Sequence, residues 1–149
     1  MLRKLAILAV VIAAIVFGTV EYRKASRAYH ELQRDFSLIV PPSGSTQLTY
    51  KSTFKPGNAL IQATYRTALN FEYIREHYTA QLEKNGWQIR SEGTGDVAGR
   101  SNVRYVHLCK EQYTASLYFY TASLYFSPDR AENDFTFNMF WRSFVVRWR

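Results

Sequence analysis

The sequence predicts an α+β protein. An N-terminal transmembrane helix continues into a helical neck, then comes an antiparallel β-sheet with one helix packed across a face, in β-β-α-β-β-β-β order. Three observations carry this. Leu5–Val20 is an uncharged run of sixteen residues behind Arg3 and Lys4. Glu21–Leu38 lacks Pro and Gly and is rich in helix formers. From Gln47 onward, short β-branched and aromatic runs are separated by turn residues, and a single helical pattern interrupts them. The chain divides into a basic start (1–4), an anchor (5–20), a neck (21–40) and a small domain (41–149).

The apolar run reaches roughly 24 Å as a helix, short of the ~30 Å hydrocarbon core of a bilayer. Tyr22 and the stems of Arg23 and Lys24 suit the interface and cover the difference. A cleaved signal peptide begins with the same parts, and Val16 and Gly18 fit cleavage after Gly18. Sixteen residues exceed the usual h-region and a helix follows, so the expectation is an uncleaved signal-anchor. Arg3 and Lys4 on one side nearly balance Arg23, Lys24, Arg27 and Arg34 on the other. The signal-like start places the amino terminus inside and the domain outside.

In the neck, Tyr22, Ala25, Tyr29, Leu32 and Phe36 follow spacings of 3, 4, 3 and 4, the rhythm of a coiled-coil seam. Two heptads do not stand alone, so the stripe packs either on the protein's own domain or on another chain. Pro41-Pro42-Ser43-Gly44-Ser45 ends the helix. Gln47–Phe54 and Ala59–Thr67 read as strands around the turn Lys55-Pro56-Gly57-Asn58. The helix that follows has Asn70 as N-cap and Gly86 beyond its end, with Phe71, Ile74, Tyr78 and Leu82 as its apolar stripe. Trp87–Arg90 starts the next strand, and Glu92–Arg100 (EGTGDVAGR) reads as a flexible Gly-rich hairpin loop. Val103–Cys109, Tyr113–Phe126 and Phe135–Trp141 are the remaining strands. The last alternates Phe135, Phe137, Met139 and Trp141 with polar residues, as a sheet with one buried face requires.

Tyr113–Phe119 and Tyr120–Phe126 both read YTASLYF, in immediate tandem. An insertion of seven turns the second copy to the opposite face of a continuous strand. A bulge near Phe119–Thr121, a strand projecting to pair with another protein, or a looped-out copy each resolve the conflict.

Composition narrows the function. Aromatic residues make up 16 %, enough for a small core, and the single Cys109 excludes an internal disulfide. Net charge is +7, but residues 41–149 carry thirteen Lys/Arg against nine acids, which gives no nucleic-acid footprint. His107 and Cys109 share one strand face; zinc needs at least three ligands, and His30 and His77 lie elsewhere. No metal, cofactor or catalytic set is therefore expected. Gly93-Thr94-Gly95-Asp96 with Gly99 matches no phosphate-binding motif. Interleaved Trp and Arg in Trp141, Arg142, Arg147, Trp148 and Arg149 suit a membrane interface or a protein contact.

The Pro-Pro-x-Gly start of the domain and the Tyr-x-x-x-Leu-x-x-x-Gly-Trp pattern (Tyr78, Leu82, Gly86, Trp87) resemble small membrane-tethered bacterial envelope proteins. The expected function is non-enzymatic. It is a single-pass protein of the bacterial inner membrane whose periplasmic domain binds other envelope proteins as an accessory or assembly subunit. Its partners are the bilayer through 5–20, other membrane or envelope proteins, and a second copy through the neck. The candidate contact residues are Tyr22, Tyr29, Leu32, Phe36, Tyr118, Tyr120, Trp141, Arg142, Arg147, Trp148 and Arg149. The alternative is a hydrophobic-ligand or lipid-binding domain walled by Tyr65, Tyr105, Tyr118 and Phe137. An enzyme would rest on His107 and Cys109 alone.

Overall fold

The apolar run and the neck form one uninterrupted helix, α1 (Leu2–Ser37), in a computed structural model that describes residues 2–120 and 133–143. By length and composition α1 is the one helix among the described residues able to cross a membrane. Side chains such as Ile7, Val10, Ile15 and Phe17 are more than half exposed, with no protein cover. From Glu21 onward one side of the same helix is buried: Ala25, Ala28 and Leu32 have almost no exposed surface.

The domain follows as β1 (Thr46–Lys55), β2 (Asn58–Thr67), α2 (Phe71–Lys84), β3 (Gln88–Val97), β4 (Arg100–Lys110), β5 (Tyr113–Tyr120) and β6 (Asn133–Arg142). All strand pairs are antiparallel, and the spatial order is β1-β2-β6-β5-β4-β3. The last strand thus lies inside the sheet, joining the first hairpin to the β3–β5 meander.

Local chemistry explains the boundaries. Asn70 caps α2 by accepting from Tyr73 N at 2.9 Å. At the other end Gly86, at φ +82°, closes the helix as Gly86 N donates to Glu83 O and Trp87 N to Leu82 O. That closure also brings Trp87 under the core beside Leu82, both buried.

Both helices cover the same face of the sheet. Phe137 shows why: its ring stacks on Phe36 of α1 at 5.5 Å and meets Tyr78 of α2 at 4.7 Å. Around it lie Ile61, Ala63, Ala115, Leu117, Phe135 and Met139, all buried. The expected single helix across the sheet is therefore two, because the neck stripe is used on the protein's own domain. The coiled-coil rhythm is real, and its partner is the sheet.

The Gly-rich segment corrects a second expectation. Residues 92–97 are strand, not loop, and the turn itself is only Ala98-Gly99, at φ +51° and +78°. Glycine is tolerated in this strand because the Tyr105 ring lies across it: a Cβ on Gly93 would sit 3.1 Å from Tyr105 Oη. The aromatic ring supplies the cover that the glycine lacks.

The strand read over Tyr113–Phe126 is seen as far as Tyr120, and through that point β5 pairs with β4 and β6 without a bulge. Its remainder, 121–126, and the Ser127–Arg130 divider lie outside the described residues. So does the tail 144–149, with Arg147, Trp148 and Arg149.

Candidate functional site

Two places hold the polar and aromatic groups that the core does not absorb. The first is a clasp between α1 and the sheet. Asp35, buried near the end of α1, accepts from Lys110 Nζ at 2.8 Å and from Trp87 Nε1 at 3.3 Å. One turn earlier, Glu31 accepts from the Tyr113 hydroxyl. Burial and then the Glu31 carboxylate push the Tyr113 phenol well above its ordinary range, so it stays a donor. With Leu32, Arg34 and Glu111 these residues line a polar cleft of about 250 Å³. Glu31 and Asp35 each already have a partner from the sheet, so the cleft reads as a fastening.

The clasp has a counterpart at the start of the neck. Glu21 meets Lys24 Nζ at 3.0 Å, and the Ser143 side chain just beyond β6 and then Lys24 hold its carboxyl below the usual range, while Ser143 N bonds to Gly57 O. Between these ends, ring contacts step along β1 from Phe54 to Tyr50 as α1 advances from Tyr22 to Phe36. Tyr29 adds a hydrogen bond to Ser52 Oγ at 3.0 Å. The helix therefore runs roughly antiparallel to β1, and the Gly57/Ser143 end of the sheet sits where the apolar run stops.

The second place is the opposite sheet face. Directly paired Tyr105 and Tyr118 stand there with His107, Ser116, Tyr120, Thr136 and Asn138. His107 sits edge-on to Tyr105 at 4.9 Å and to Tyr118 at 5.6 Å, and its Nδ1 lies 3.2 Å from Ser116 Oγ. Burial, then the charge of Arg90, hold its imidazole below the usual range. Thr64 and Thr136 hydroxyls bond at 3.0 Å, and the Arg100 guanidinium lies 4.6 Å over Tyr120. Asn138 Oδ1 is buried with no hydrogen-bond partner. No helix or strand among the described residues lies over this face.

Of the residues singled out from the sequence, the structure groups Tyr118 and Tyr120 on this bare face, with Arg142 exposed at its end. Leu32 and Trp141 are buried in the core, and Tyr29 and Phe36 are packed against it. Only Tyr22 keeps half its surface, with its ring against Phe54. The neck stripe and Trp141 are thus spent internally, because both lie on the side where helix meets sheet. The four residues read as ligand walls do not share a pocket: Tyr65 and Phe137 face the helices, whereas Tyr105 and Tyr118 face the other way. His107 makes its contacts with Ser116, Tyr105 and Tyr118, and no three metal-ligating residues converge among the described residues.

Sequence reasoning missed Asp35, Glu31 and Lys110 altogether as site residues, and it named Tyr105 (with Tyr118) and His107 (with Cys109) without bringing Tyr105 and His107 together. A signal existed for the last two, since Tyr105 and His107 alternate with buried Val106 and Leu108. Comparison of the chain with family models, curated proteins and solved structures found no match.

Proposed function

We propose that the chain is a single-pass protein of the bacterial inner membrane whose periplasmic domain binds another envelope protein as a non-enzymatic accessory or assembly subunit. One observation carries this reading: among the described residues no helix or strand covers the sheet face with Tyr105, His107, Tyr118 and Tyr120, although its opposite face is packed by two helices. Tyrosine offers large contact area at low entropic cost and a hydroxyl for the rim, which favours a protein partner. The continuous α1 adds a direction. Because the helix runs along the strands, an anchor at 5–20 holds the bare face parallel to the membrane normal, facing lateral neighbours.

The test is the native mass of the full chain after gentle extraction, with and without Tyr105→Ala/Tyr118→Ala. The expected result is a discrete assembly that the double variant loses while its own thermal transition persists. A wild-type protein that runs as a lone monomer overturns the reading.

A further inference from the structure

We infer that either copy of YTASLYF can serve as β5, so that the domain has two folded registers seven residues apart. The argument rests on what the β5 position asks of its occupant. Tyr113 donates to Glu31; Ala115 and Leu117 fill the core; Ser116 meets His107; Tyr118 pairs with Tyr105; Phe119 meets Phe71 edge-on. Each of these side chains recurs in the same order at Tyr120–Phe126. A slide of seven residues therefore rebuilds every one of those contacts with an identical group. The facing conflict posed by an odd-numbered insertion does not arise, because only one copy occupies the sheet at a time.

The connections permit the slide. With Tyr113–Tyr120 in place, β4 and β5 are joined by Glu111-Gln112, and β5 and β6 by residues 121–132. With the second copy in place, the joining segments are 111–119 and 128–132. The same number of residues stays outside the sheet, and by loop-length scaling the two arrangements differ only about threefold in closure probability. Two features set the balance. The tight turn holds Glu111 at φ +52°, and a longer loop relieves that. Against this, the eighth position changes from Tyr120 to Ser127, which removes the ring beneath Arg100. The first register is favoured, and the second lies within reach. The slide carries an aromatic heptapeptide from one end of the sheet to the other, beside the Glu31/Asp35 clasp.

Cys109 gives a direct test, since it pairs across β4–β5 with Thr114. Thr121 is the equivalent residue of the second copy; in the first register its chain neighbour Tyr120 stands six strand positions from Thr114, about 20 Å, too far from Cys109 for a disulfide. In the full-length protein, mild oxidation of Thr114→Cys and Thr121→Cys should each give an intramolecular Cys109 disulfide, the second more slowly. Adding Arg100→Ala should accelerate the second. A Thr114→Cys chain that closes while Thr121→Cys never does overturns the proposal. Folding supplies a separate reading. Leu117→Asp and Leu124→Asp should each retain a cooperative thermal transition, because the other copy takes the strand, and only the double variant should lose it. Leu117→Asp as damaged as the double variant overturns the proposal regardless of the cross-linking result.

Discussion

The two faces of the sheet are built from the same strands and the same alternation, yet they behave as different materials. On the helix side, Phe135, Phe137, Met139, Leu117 and Ile61 are sealed, and each aromatic ring meets another from α1 or α2. On the other side, Tyr105, His107, Tyr118 and Asn138 are partly exposed, and hydrogen bonds and ring edges contribute beside packing. The helix-covered face holds the fold together, and the other face has no helix or strand over it among the described residues. A period-two pattern announces that a strand has two sides. It does not say that the second side is meant for water, and here that side carries too much aromatic surface to be ordinary solvent-facing sheet.

The sharpest way to break this contrast is to truncate one ring on each face. Phe137→Ala removes the ring that both helices touch, and the expected loss is about 3–5 kcal/mol. Tyr118→Ala on the bare face should be well under half of that. Chemical denaturation of the two variants decides it, and equal losses would abolish the distinction.

A smaller effect separates the faces by pH. His107 titrates below its unfolded value of 6.5, so between the two values the unfolded chain binds a proton that the folded chain refuses. Its contribution is complete above about pH 6.5 and is lost as pH falls through that window. Thermal scans at pH 5 and pH 8 should show a smaller gap for His107→Gln than for wild type. An unchanged gap would mean that the bare face does not shield the imidazole.

The smallest effect lies at the rim. Ala98 occupies a left-handed position that Asn tolerates better, so Ala98→Asn ahead of Gly99 should stabilise the protein by about 0.5–1 kcal/mol. A decrease in the melting temperature would contradict the turn geometry.

What the residues disclosed in advance were features with local causes. The caps of α2 need only Asn70 and Gly86, and the buried face of β6 needs only its own alternation. The neck stripe was legible as a stripe, but its partner was not, since a 3-4 spacing is equally satisfied by a helix or by a sheet. Residues 92–97 misled because glycine reads as a loop until a distant Tyr105 lies across it. The Asp35–Lys110 and Glu31–Tyr113 contacts span 75 and 82 residues of sequence, and no local pattern marks charges that meet only after the sheet closes. The second face was legible only in part: Tyr105 and Tyr118 were grouped, but with Tyr65 and Phe137 of the opposite face, because sides are sorted by pairing and not by spacing.

The central position of β6 has a consequence for the order of events during synthesis. Strands β1 and β2 leave the ribosome early, but β2 finds its second neighbour only when Asn133–Arg142 has emerged. At typical translation rates of about 5–20 residues per second, those 75 residues take roughly 4–15 s. Through that interval the inner edge of β2 stays unpaired, and the neck waits for Lys110 and Tyr113. Strand β6 then completes both halves of the sheet at once, so the nascent domain is most exposed to mispairing just before β6 emerges.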